Sequence, residues 1–162
     1  MGADGARKMD FGSLLKPEAV KVVTSVTSKK RLLQEIGDLV HSAHDIHAGL
    51  VTEALIAREA LGPTGVGHGV ALPHARLDGI GHVMGAFVLL DKPVDFDAVD
   101  RQPVDIAFAL FAPEEAGVEH LKALALVSRT LRDPAICAKL RANLNPSTLF
   151  AILNEAKPAK AA

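Results

Sequence analysis

The sequence predicts an α/β fold: a mixed parallel and antiparallel sheet sandwiched between helices on both faces. Three observations predict it. Residues 104–111 are apolar almost throughout, the pattern of a strand covered on both faces. Segments with apolar residues at helical spacing flank the strand region, two before it and three after it. Only some connections between strands are long enough for a parallel crossover, so both kinds of pairing are expected.

The elements follow in order. Leu14 to Ala19, with Pro17 inside, reads as an opening turn, and the β-branched run at residues 20–26 as a first strand. Ser28 can cap a helix through about residue 43, with Leu32, Leu33, Ile36, Leu39 and Val40 inward. Asp45 can cap a second helix to about residue 60, with Ile46, Leu50, Leu55 and Ile56 inward, ended by Leu61-Gly62-Pro63. Residues 70–72 make a brief strand, residues 82–90 a longer one, and residues 92–96 a short edge piece and turn. After the strand at 104–111, a helix is expected at 118–131 with Leu121, Leu124, Ala125, Val127 and Leu131 inward. Asp133-Pro134 and Asn145-Pro146-Ser147 then open two more, the last reaching about residue 156. One domain is expected at residues 13–156, between tails at 1–12 and 157–162.

Composition narrows the function. With 18 Lys+Arg against 19 Asp+Glu, the chain offers no electrostatic case for nucleic acid or an anionic membrane surface. It has no Trp or Tyr, so it lacks an aromatic platform for stacking bases. No apolar run approaches the roughly 18 residues of a membrane span, and no signal-peptide core opens the chain. The single Cys137 lies among Ala135, Ile136 and Ala138, as a buried thiol would in a cytosolic protein.

The chemistry concentrates in Gly65-Val66-Gly67-His68-Gly69-Val70-Ala71-Leu72-Pro73-His74-Ala75-Arg76. Alternating glycines allow close backbone approach. Pro73 stiffens the path into His74. This is neither a dinucleotide fingerprint nor a phosphate-cradling P-loop, because the required third Gly, following helix and Gly-Lys-Ser/Thr ending are missing. The glycines read instead as room for backbone donors near a phosphoryl group on His74. An imidazole with an ordinary pKa near 6.5 offers a lone-pair nitrogen at cytosolic pH. Phosphoryl transfer then asks mainly for positioning and charge stabilisation.

These residues, with Arg58-Glu59 and Thr64 before them, resemble the signature of the IIA domains of the fructose/mannitol class of the phosphoenolpyruvate-dependent phosphotransferase system. Residues 97–105 (Asp97 to Asp105), and Pro113-Glu114-Glu115 with Glu119-His120-Leu121, are similar to segments of that family's nitrogen-related branch. One departure is His68, where the motif usually carries Asn. The resemblance implies that His74 receives a phosphoryl group from a histidine phosphocarrier protein of the HPr or NPr kind. It also implies that His120 lies beside His74 and that Arg58, sixteen residues before His74, is the site arginine.

Arg58 is thus expected as a charge clamp for phosphate oxygens and His120 as a phosphate-stabilising imidazole, although its sequence surroundings alone read as a helix surface. Thr64, Gly67, His68 and Arg76 are candidate phosphate or partner contacts. His41 and His44 share a helical face, but Asp45 interrupts it before His47, so neither metal nor cofactor is expected. The function implied is that of a cytoplasmic regulatory phosphocarrier acting on targets such as potassium-transport or sensor-kinase proteins. The alternative is a sugar-specific IIA component serving a separate fructose or mannitol permease.

Overall fold

A computed structural model describes residues 9–156; the expected tails at 1–8 and 157–162 lie outside the described residues. The chain is folded from before residue 13. Asp10 accepts the Ser13 N–H at 3.0 Å and caps a one-turn helix, α1 (Phe11–Leu14). This turn buries Phe11 edge-on against Phe108, ring centroids 5.5 Å apart. One aromatic side chain therefore draws into the core a segment whose composition reads as tail.

A 3₁₀ turn (Pro17–Ala19) leads into β1 (Val20–Val23), which stops short of residue 26 as the chain bends toward Ser28. Ser28 caps α2 (Lys29–His44) by accepting the Arg31 N–H at 3.1 Å, and the five residues expected inward are all buried. The second helix starts later than expected. Asp45 sits in the left-handed region (φ 57) and ends α2, its N–H donating to His41 O. His47 is the cap of α3 (Ala48–Glu59), its Nδ1 accepting the Gly49 N–H at 3.1 Å. The buried face of α3 shifts accordingly, to Val51 and Leu55, leaving Leu50 and Ile56 exposed.

The sheet runs β1-β5-β6-β3-β2, with β4 also on β6. It comprises β2 (Gly65–Gly67), β3 (Val70–Ala71), β4 (His74–Leu77), β5 (Met84–Val94) and β6 (Val104–Pro113). β1 on β5, and β3 and β4 on β6, are parallel; β5 on β6 and β2 on β3 are antiparallel. Residues 83–90 and 106–112 are buried without a break. Because neighbouring residues point to opposite faces, both faces of β5 and β6 are covered.

Three helices follow: α4 (Val118–Leu131), α5 (Pro134–Arg141) and α6 (Pro146–Glu155). Asp133 and Asn145 cap the last two, each followed by Pro at the first helical position. Cys137 is buried in α5; its Sγ donates to Leu131 O at 3.1 Å, and burial pushes the thiol up. The buried stripe of α4 runs His120, Ala123, Val127, Leu131 and leaves Leu121 and Ala125 exposed. That rotation of the helix puts a histidine on the covered face.

Candidate functional site

His74 is the first residue of β4. β3 and β4 lie along the same partner strand, Val70 opposite Ile106 and His74 opposite Leu110. They are one strand interrupted at Leu72-Pro73, where proline has no N–H to give a ladder and its carbonyl accepts from Leu110 N at 2.9 Å. His74 is therefore presented at a fixed break in an otherwise rigid sheet. Its Nδ1 lies 2.8 Å from Leu72 O. A carbonyl only accepts, so Nδ1 carries the proton and, in the neutral ring, Nε2 holds the lone pair.

His120, in the first turn of α4, is 8% exposed, and its ring sits 5.7 Å from that of His74 with the planes 51° apart. Its Nδ1 is buried without a partner among the described residues. Burial, then the charges of His74 and Arg76, hold its pKa below the ordinary histidine value. Burial thus favours the neutral form of His120 beside the His74 ring.

Two arginines complete the surroundings. Arg58, in the last turn of α3, donates from Nη1 to Gly62 O at 2.9 Å. Arg76, two residues along β4 from His74 and so on the same face, donates from one Nη1 toward three carbonyls. These are Pro113 at 3.3 Å, Glu114 at 3.1 Å and Ala116 at 2.6 Å. Arg58, Arg76, His74 and His120 line an open depression of 500 Å³ together with Ala54, Ala57, Leu61 and Ala75. No carboxylate among the described residues lines it. Leu61, Val118 and Leu121 are exposed at 83%, 63% and 66%, so apolar side chains stand on α4 and on the turn just after α3. The arrangement suits an anion attached to, or approaching, His74.

Thr64, Gly67 and His68 do not line this depression. Thr64 is buried, its hydroxyl donating to the Glu59 carboxylate and its N–H to Glu59 Oε1 at 3.2 Å. The same carboxylate meets Lys29 at 2.8 Å, so Thr64 belongs to a latch among α2, α3 and the start of β2. Gly67, His68 and Gly69 form a left-handed turn, φ 105, 59 and 80. His68 N–H donates to Asp100 Oδ2 at 3.0 Å, and His68 O accepts from Arg141 Nη2 at 2.9 Å. The Asp100 carboxyl is held low first by that His68 N–H and then by Gln102. His68 is thus a turn residue tied through its backbone.

The glycines have structural reasons. A Cβ on Gly65 would fall 2.7 Å from Ala98 Cβ, and one on Gly69 2.6 Å from Arg141 Nη2. Where room for backbone donors near a phosphoryl group was expected, the space beside Gly65 and Gly69 is taken by Ala98 and Arg141. Arg141 and Asp105, paired through three hydrogen bonds of 2.9–3.1 Å, escaped that reading because thirty-six residues separate them and neither stands in a motif. His41 and His47 each engage backbone, Ile46 O and Gly49 N.

Residues 13–156 match the family described as phosphoenolpyruvate-dependent sugar phosphotransferase system, EIIA 2. A nitrogen regulatory protein of Bradyrhizobium diazoefficiens is 44% identical over 145 residues, covering 90% of this chain and 95% of that one. The nitrogen regulatory protein of Klebsiella oxytoca is 38% identical over 149 residues, 91% of this chain and 92% of that one. Among solved structures, nitrogen regulatory protein IIA-Ntr from Neisseria meningitidis superposes with a TM-score of 0.81 at 38% identity, covering 88% and 98% of the two chains. Among the described residues no helix is long and apolar enough to cross a membrane.

Proposed function

The chain belongs to the EIIA 2 family of the phosphoenolpyruvate-dependent sugar phosphotransferase system, and from that premise we propose that it is a regulatory phosphocarrier of a nitrogen-related phosphotransferase system. It accepts a phosphoryl group on His74 from a histidine phosphocarrier protein. The observation that carries this reading is the His74 ring itself. Its Nδ1–H is committed to Leu72 O, leaving Nε2 as nucleophile in a depression with two arginines, a neutral His120 and no carboxylate.

The step balances simply. The Nε2 lone pair attacks phosphorus in line, the N–P bond of the donor's phosphohistidine breaks, and the donor ring, protonated on its other nitrogen, keeps that electron pair and leaves as neutral imidazole. The His74 ring gains positive character, which strengthens the hydrogen bond from Nδ1–H to Leu72 O. Charge on the equatorial oxygens in the loose transition state is met by Arg58 and by a donor N–H of His120. The bound phosphate adds roughly −1.5 to −2 charges to a surface with apolar side chains around it. That change is what controls binding of regulatory targets, with potassium-transport and sensor-kinase proteins as candidates.

Relatives named as nitrogen regulatory proteins support this reading over service to a fructose or mannitol permease. Incubation with phosphoenolpyruvate and the upstream phosphotransferases, followed by intact-mass measurement, tests it. Wild type gains about 80 Da and His74→Ala gains nothing. No gain in wild type, or an undiminished gain in His74→Ala, overturns it.

A further inference from the structure

We propose that Arg76 is a positioning residue: by holding the chain that leads from β6 into α4, it sets His120 against His74. The inference rests on the phosphocarrier reading above and names a residue that serves the same site without touching the phosphoryl group.

The connection from β6 to α4 has few other restraints. β4 and β6 pair as far as Leu77 opposite Pro113. Beyond that point the chain makes one backbone turn, Ala116 N–H to Pro113 O at 3.0 Å. The N-cap of α4 is Gly117, which has no side chain to cap the helix. A further hold comes from the neighbouring strand β4. A single Arg76 nitrogen lies within 3.3 Å of the carbonyls of Pro113, Glu114 and Ala116. The orientation of the first turn of α4, and with it the ring of His120, follows from where those carbonyls are held. An arginine Nη stands one bond further from Cα than a lysine Nζ, on a rigid planar group instead of a flexible stem, so lysine reaches these three carbonyls poorly.

An arginine serving only as a charge for phosphate predicts something different. It would be replaced well by lysine, and its removal would multiply with removal of His120. A brace predicts poor rescue by lysine and loss of independence from His120.

The test uses the full chain with Arg76→Ala, Arg76→Lys, His120→Ala and the Arg76→Lys/His120→Ala double variant, with folding checked by circular dichroism. Phosphoryl acceptance is followed by mass and amide hydrogen exchange at residues 116–120 by NMR. Both Arg76 variants are expected to slow acceptance about 10- to 100-fold, as misplacement of a site group does, and to speed exchange of the Ala116 amide about tenfold or more. Adding His120→Ala to Arg76→Lys should change the rate by no more than about twofold. Rescue by lysine, multiplicative losses or unchanged exchange overturns the proposal. Should Arg76→Ala fail to fold, Arg76→Lys carries every arm. Should wild type accept no phosphate, the phosphocarrier reading fails, while exchange still decides whether Arg76 braces the connection.

Discussion

Gly69→Ala separates the two explanations of the glycine-rich turn. Gly69 has φ 80, a conformation that costs an L-residue roughly 1 kcal/mol or more. Its backbone has little freedom to relax, because Gly69 O accepts from both Asp105 N at 3.0 Å and Ile106 N at 3.1 Å. The new Cβ would lie 2.6 Å from Arg141 Nη2 and 3.0 Å from Asp105 Oδ1, so the Arg141 side chain must leave its partner. With that pair 37% and 19% exposed, its loss adds at most about 1 kcal/mol after solvent screening. The total is about 2 kcal/mol, which in a domain of this size lowers Tm by roughly 4–8 °C. Urea or thermal unfolding measures this loss. His74 sits at the level of Leu110, four residues along β6 from the level of Val70, so phosphoryl acceptance should stay within about twofold of wild type. Wild-type stability combined with lost phosphorylation would refute the reasoning and return the turn to the site.

Two further outcomes follow. His120 and His44 both have pKa values lowered mainly by burial. Below about pH 6.5 the unfolded chain therefore binds more protons than the native one, so stability is full above that pH and is lost as pH falls from there through the folded values. A urea midpoint that stayed flat or rose between about pH 7 and pH 5.5 would contradict this. Arg58→Ala removes one part-buried hydrogen bond to Gly62 O, a loss of about 1 kcal/mol. It should slow phosphoryl acceptance without unfolding the protein, and a wild-type rate removes Arg58 from the site.

The fold was legible where burial is strongest. A run apolar but for Asp105 marked β6 as covered on both faces, and Ser28, Asp133 and Asn145 announced their helices because each cap is a local interaction within three residues. It was illegible where a tertiary partner decides. β2 is a strand of three residues, two of them glycine, paired to a two-residue strand, a pattern with no periodicity to read. Asp45 looked like a cap for the helix after it and instead closes the helix before it in the left-handed region, which Asp tolerates better than most residues. In α4 Val127 and Leu131 are inward as expected, but Leu121 and Ala125 are exposed and the first turn buries His120 instead.

The burial of His120 matters most at the site, because there the fold sorts charge by face. Acidic residues adjoin the candidate site residues in sequence, Glu59 next to Arg58 and Glu119 next to His120, and the chain as a whole is nearly neutral. Successive helical residues lie about 100° apart, so each neighbour can be turned to different surroundings. Glu59 is taken up by Lys29 and Thr64. Glu119 lines a separate depression with Glu115, Pro113 and His82. What remains around His74 is Arg58, Arg76 and His120 without a carboxylate. Net charge and sequence adjacency both hid this, and the glycines that precede His74 in the chain stand three or more residues back along β6, about 10 Å or further by strand rise. The resemblance to known IIA domains had paired His74 with Arg58 and His120. The structure adds that Glu59 and Glu119, the acidic neighbours in sequence, are engaged elsewhere, and that no carboxylate among the described residues lines the depression Arg58, His74 and His120 share.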